Sequence, residues 1–204
     1  MLVTRLVPLI TVRRFLAPLA AAFVAASMLL ARTATAQGAT GSGYGPNIGA
    51  SAGVVFPMGS LGDVVNSGYS VAIAVGLQQT NNPLGFRAEG IFDEFGLQGG
   101  SSSDKLRIFA ATMNLLYDLN SAATTAGAQS TGGFYIIGGV GLYGTKEVHA
   151  DFSSSTETDF GLNGGAGYRL PLSGLSFYVE GRYHAIFSSP DRQQLIPITV
   201  GVAF

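Results

Sequence analysis

The 204-residue chain has no cysteine and no tryptophan, and it is poor in charged residues. Without cysteine, lipid attachment through an N-terminal cysteine is impossible. Charged residues make up 11% of the chain, whereas soluble domains carry about 25%, so too few are present to cover a water-facing surface. After residue 36 no stretch reaches the roughly 18 consecutive apolar residues of a transmembrane helix. A β-barrel in lipid fits both deficits.

The first 36 residues have the parts of a secretory signal peptide. Basic residues come first, an apolar region covers 15–31, and a small-residue cleavage site follows at Ala34, Thr35 and Ala36. We expect cleavage after Ala36, so that the mature chain begins at Gln37. The alternative is an uncleaved anchor helix, but Pro18 and Arg32 shorten the apolar stretch.

The remaining 168 residues are acidic and suit one domain. Four of the 11 Lys and Arg residues lie in the leader, which leaves 7 against 12 Asp and Glu, a formal net charge of −5. This balance offers nothing to nucleic acid. We expect a flexible Gly/Ser/Thr-rich lead over 37–45 and one domain over 46–204.

The C-terminal stretch, 195–204, alternates strictly. Every second residue from Ile196 to Phe204 is apolar, and the residues between them are small or polar. We call each such set of alternate positions a parity. A period of two predicts a β-strand with one apolar face. Its last residue, Phe204, belongs to the apolar set, which suits a strand that closes a barrel inside a membrane.

Seven further segments alternate in the same way, separated by turn-rich stretches. We predict an all-β fold, an eight-stranded antiparallel up-and-down transmembrane β-barrel with a polar, side-chain-filled lumen. Each strand is about as long as a tilted strand needs to be to cross a bilayer. The predicted strands cover 46–56, 68–79, 84–94, 105–119, 133–144, 157–170, 174–187 and 195–204.

The apolar parity is expected to face lipid. A lumen of eight strands is only just wide enough for side chains, and Gly, Ser, Ala and Asn of the polar parity fit it. The large residues of the apolar parity place aromatics near both strand ends, as at two membrane interfaces. With the N-terminus of the first strand placed at the inner rim, the links on the inner side are tight, except for 120–132, and the outer links are longer and polar.

Three runs carry a resemblance to a known family. They are GFYIIGGVG over 133–141, GGAGYR over 164–169 and VEGRY over 179–183. The chain resembles the small outer-membrane β-barrel domains of outer-membrane protein A, outer-membrane protein X and the opacity adhesins. The resemblance implies a C-terminal assembly signal, which Val202 and Phe204 match, although Thr199 stands where the family often has Gly. It also implies contact with the barrel-assembly machinery.

Eight ionisable side chains fall on the inward parity. A polar pore or a catalytic cluster would use such groups, but mixed charges in a narrow lumen predict an ion-pair network, because a lone buried charge is very costly. The predicted network consists of Arg87, Glu89, Asp93, Asp159, Arg169, Glu180, Arg182 and His184. A hydrolase built on Glu180, His184 and Ser188 is disfavoured, because residues four apart on a strand lie about 13 Å apart.

The outer links hold the candidate binding residues Lys146, Glu147, His149, Asp151, Phe152, Asp191 and Arg192. Glu147, His149 and Asp151 could share a metal ion, but a solvated rim is the more ordinary interpretation, and we predict neither metal nor cofactor.

We therefore expect a non-enzymatic, monomeric protein of a Gram-negative-type outer membrane, surrounded by its lipids and lipopolysaccharide. Its role would be structural, or adhesin-like through the outer loops and a surface partner. The alternatives are a narrow small-solute channel and a lipid-modifying enzyme.

Overall fold

The computed structural model describes residues 44–79, 82–99, 104–119, 132–148, 157–172, 175–189 and 191–204. These residues form eight β-strands and one short 3-10 helix between the first two strands. No helix among them is long and apolar enough to span a membrane. The expected signal peptide, with Ala36 and Gln37, and most of the lead lie outside these ranges. The strands are β1 Tyr44–Met58, β2 Gly68–Gln79, β3 Leu84–Gly96, β4 Lys105–Asp118, β5 Gly133–Val148, β6 Glu157–Leu172, β7 Leu175–Ile186 and β8 Gln193–Ala203.

The strands close into a single antiparallel barrel in chain order, with β8 pairing back onto β1. Followed once around the barrel, the cross-strand pairs that start at Asn47 return to β1 at Pro57, a stagger of 10 residues. A stagger of this kind goes with strands that tilt by roughly 35–45° from the barrel axis. The predicted fold class is therefore confirmed.

Most predicted strand ends lie within two residues of those in the structure, and the clear exception is β5. This strand runs to Val148, four residues beyond its predicted end. Lys146 and Glu147, predicted to lie in an outer loop, are strand residues that pair with Arg107 and Leu106 of β4. The prediction was wrong here because a polar stretch still extends when the neighbouring strand offers a complete ladder of hydrogen-bonding partners.

The apolar parity faces outward along every strand, and its large side chains are exposed. Aromatic rings meet at both ends of this surface. Near the outer ends Phe92 packs 6.0 Å from Tyr69 and 5.1 Å from Phe109, between ring centroids. Near the inner ends Phe134 packs 4.8 Å from Tyr168. Two girdles of aromatic residues, one on each side of an aliphatic band, are typical of a barrel wall that faces lipid.

Glycines of the inward parity make room for buried tyrosines. The Tyr135 ring covers its cross-strand partner Gly167, and the Tyr178 ring covers Gly201 in the same way. A Cβ atom at Gly167 would overlap the phenol end of Tyr135, and one at Gly201 would overlap that of Tyr178. Both positions need glycine because of this close approach.

We expect Gly167→Ala to lower the free energy of unfolding by about 1–3 kcal/mol, because the Tyr135 ring must leave a packed position. Urea unfolding in detergent micelles measures the change. Gly181→Ala is the matched control, since a Cβ there meets no atom within 4 Å. Equal losses in the two variants would contradict the close-approach argument.

Candidate functional site

Four charged side chains form a closed ionic layer across the middle of the lumen. Arg87 of β3 lies 2.6 Å from Glu180 of β7 and 3.1 Å from its own strand neighbour Glu89, between nitrogen and oxygen atoms. Arg182 of β7 contacts Glu89, with its Nη2 at 3.0 Å, and lies 2.8 Å from Glu180. Each arginine thus contacts both carboxylates, and each carboxylate contacts both arginines.

Neutral groups complete the ionic layer. The Tyr135 hydroxyl donates a 2.6 Å hydrogen bond to Glu180, and the Asn114 amide donates one of 2.7 Å to Glu89. The Arg87 guanidinium also lies 5.6 Å from the Tyr178 ring centroid. All four charged residues are buried, and their charges sum to zero. Such a layer avoids the cost of a lone buried charge only while it is complete.

The other four predicted members of the lumen network lie elsewhere. Arg169, near the inner end, lies 3.4 Å from Asp118 and 5.0 Å from the Tyr135 ring centroid. Asp93 lies opposite Ser70 of β2 in the cross-strand pairing, and Nδ1 of His184 is bonded to the Tyr143 hydroxyl at 2.9 Å.

Within the described part of the chain, no ion pair includes Asp93, Asp159 or His184. Strand parity alone indicates that a side chain points inward. Its height along the barrel and its neighbour across the lumen depend on the stagger, so parity grouped side chains that the fold keeps apart.

The outer part of the lumen is filled by an apolar plug, which sequence reasoning missed. Leu61 of the 3-10 helix Gly59–Asp63 is buried in this plug. The link between β1 and β2 is held by the Gln98 amide, which donates to the carbonyl oxygens of Gly62 and Val65 at 2.9 and 3.1 Å. The sequence feature that could have revealed the plug is the presence of apolar residues at inward-facing positions near the outer strand ends. The plug comprises Val55, Leu61, Val65, Ala72, Ile91, Phe95, Leu106, Ile108, Ala110, Tyr143, Ile186 and Leu195.

The contacts of Glu180 and His184 bear on the hydrolase alternative. Glu180 contacts the two arginines and Tyr135, whereas His184 bonds to Tyr143. Their principal partners therefore differ, which does not match a carboxylate that orients a catalytic histidine.

The outer-loop candidates are only partly described. Asp191 and Arg192 are exposed in the link before β8. The Arg192 guanidinium lies 5.2 Å from the Phe187 ring centroid, and the Arg192 carbonyl accepts a 3.4 Å hydrogen bond from Ser60. His149, Asp151 and Phe152 lie outside the described residues, so the binding and metal hypotheses for that loop stay predictions.

The predicted assembly signal lies at the seam where β8 meets β1. Phe204 exchanges two backbone hydrogen bonds with Ile48, at 2.8 and 2.9 Å. Its side chain faces outward with 65% of its surface exposed, and Val202 lies on the same parity, paired with Ala50. Both hydrophobic side chains are therefore available on the outside of the seam.

No protein-family model matches the chain, and neither does any curated protein sequence. Among solved structures, Neisserial surface protein A aligns at 18% sequence identity with a TM-score of 0.62, covering 80% of this chain and 98% of that one. A major outer membrane protein from Thermus thermophilus aligns at 14% identity with a TM-score of 0.52, covering 78% and 98%. At such identities the likeness concerns the fold alone. The chain has the fold of small eight-stranded outer-membrane β-barrels.

Proposed function

We propose that this chain is a non-enzymatic outer-membrane protein whose barrel is a closed scaffold and whose outer end carries any interaction with a surface partner. The observation that carries the proposal is the filling of the lumen. A complete ionic layer spans its middle, and an apolar plug fills it nearer the outer end. The lipid-facing wall has the aliphatic band and the two aromatic girdles expected of an outer-membrane barrel.

A filled lumen disfavours a role as a small-solute channel. Ions crossing the barrel would have to pass between the paired charges of Arg87, Glu89, Glu180 and Arg182, all of which are buried. Above this layer they would meet large apolar residues such as Phe95, Ile108 and Leu195, which have no exposed surface. Desolvating an ion in such surroundings is very costly.

We expect no steady conductance from the unmodified protein in planar lipid bilayers. The recordings should stay at baseline at protein amounts that give clear steps with a general porin. The proposed location is checked separately, by measuring whether the protein used for these recordings is found in the outer-membrane fraction of the cells. Stable channels of porin size would overturn the closed-scaffold proposal while leaving the location intact.

The remaining candidate surface is the outer end, because the wall is committed to lipid and the lumen to packing. Loops on a rigid scaffold are where binding sites usually lie. The loop between β5 and β6 and the exposed link with Asp191 and Arg192 are the candidate segments.

The loop proposal is tested by replacing residues 149–156 and 189–192 with tight turns, separately and together. Barrel yield and envelope integrity should persist, while cell adhesion or serum-factor binding shown by the unmodified protein should disappear. If the unmodified protein binds no partner in these assays, the adhesin role is rejected and the structural role stands.

A further inference from the structure

Four charged side chains face the lipid side of the barrel just beyond the outer girdle of aromatic residues. They are Glu94 of β3, Lys105 and Arg107 of β4, and Lys146 of β5, and we call them the basic patch. Cross-strand pairing places Arg107 directly between Glu94 and Lys146. Phe109 lies two residues from Arg107 along β4, toward the middle of the barrel wall, and it pairs with Phe92 of the outer aromatic girdle. All four side chains share the outward parity of these aromatics.

The basic patch has an excess of positive charge that its own carboxylate does not cancel. Glu94 lies 2.7 Å from Arg107 Nε and 3.6 Å from Lys105 Nζ. Both cations keep more than a third of their side-chain surface exposed, 38% for Arg107 and 36% for Lys105. Three cations against one anion give the patch a formal charge of +2. Such an excess is notable in a chain that is acidic beyond its leader.

The position of the patch indicates what it would meet. Aromatic residues of a membrane protein lie at the level of the lipid headgroups, and the patch lies two to four residues further out along the strands. Arginine and lysine there face lipid phosphates, with arginine able to bind two oxygens of one phosphate. Gly144, opposite Phe109, adds no side chain to the wall, which leaves the surface below the patch open to an acyl chain.

We propose that the basic patch binds the phosphate groups of a phosphorylated glycolipid of the lipopolysaccharide type in the outer leaflet. The inference rests on the proposed outer-membrane location. It adds a defined lipid site on one side of the barrel, formed by β3, β4 and β5. Glu94 competes with the lipid phosphate for Arg107 and Lys105, so it weakens the site while keeping both cations in place.

The test measures binding of lipid A that carries both phosphates to the purified protein in zwitterionic detergent micelles, by native mass spectrometry. The double variant Arg107→Gln, Lys146→Gln should bind about thirtyfold more weakly, the factor expected for two cations near an anionic lipid surface. Glu94→Gln should bind about fivefold more tightly, because it removes the competing carboxylate. A purely structural Glu94–Arg107 pair would give the opposite result for Glu94→Gln.

Arg192→Gln is the matched control for Arg107→Gln. It removes one exposed cation from the same end of the barrel but from the link between β7 and β8. Arg107→Gln should weaken binding about fivefold, and Arg192→Gln should leave it unchanged. Heat-modifiable migration on gels checks that each variant is folded. Should the double variant not fold, the two single variants and Glu94→Gln carry the test.

Two further arms separate the sources of phosphate. Lipid A without phosphates should bind weakly, and inorganic phosphate at equal concentration should not displace the phosphorylated lipid. Displacement by inorganic phosphate, or equal weakening in Arg107→Gln and Arg192→Gln, would overturn the lipid site. Because the assay uses purified protein in micelles, its failure is distinct from a failure of the proposed location, which cell fractionation measures.

Discussion

Replacing Arg182 with alanine is expected to lower the free energy of unfolding by about 3–5 kcal/mol, because it leaves the ionic layer with an uncompensated buried carboxylate. Arg182 contacts both Glu89 and Glu180. Without it the layer keeps two carboxylates and one guanidinium in a site closed to water. Urea unfolding in detergent micelles, followed by the change in β-sheet circular dichroism, measures the loss.

Two variants show whether burial causes this loss. Arg107→Ala breaks an ion pair of 2.7 Å whose arginine is 38% exposed, and it should cost no more than about 1 kcal/mol. The double variant Arg182→Met, Glu89→Leu removes one charge of each sign, so it should regain most of the stability. A loss for Arg182→Ala that is no larger than that for Arg107→Ala would contradict a dry ionic layer.

Deleting Phe204 is expected to leave most of the protein unassembled in the periplasm. The deletion removes the two backbone hydrogen bonds with Ile48 and the exposed aromatic side chain at the end of the seam. The ladder of β8 is already interrupted on its other side. Its pairs with β7 stop at Gly181, opposite Ile198, and resume at His184, opposite Leu195. The gap between them contains Pro197, which has no N–H to donate.

The measurement is the fraction of heat-modifiable protein in the outer-membrane fraction of expressing cells. Phe204→Tyr keeps an aromatic ring and both backbone bonds, so it serves as the control and should assemble normally. Full assembly of the deletion variant would show that the closing strand does not need its hydrophobic end.

The fold could be predicted because alternation along a strand is a local property. Each of the eight strands has apolar residues on one parity, and β2 starts and ends at its predicted residues, 68 and 79. The polar outer end of β5 could not be predicted in this way. Whether Lys146 and Glu147 extend a strand depends on partners in β4 about 40 residues away.

The lumen could be predicted only as a list of inward side chains. Arg87 and Glu180 are 93 residues apart in sequence, and they meet because the stagger of the barrel brings β3 and β7 to one height. The apolar plug was missed for a related reason. Phe95 and Ile108 fall on the same inward parity as the charged residues of the lumen, and only their shared position near the outer end makes them part of one cluster.

The composition of the ionic layer has a consequence for how the chain enters a bilayer. Its four charges come from only two strands, as the pairs Arg87, Glu89 on β3 and Glu180, Arg182 on β7. Within each strand the two opposite charges lie two residues apart on the same face, and Arg87 contacts Glu89 just as Arg182 contacts Glu180. Each hairpin can therefore cross the membrane with this segment electrically neutral. The contacts between β3 and β7 form only when the barrel closes. They therefore stabilise the closed barrel and not a partly formed sheet.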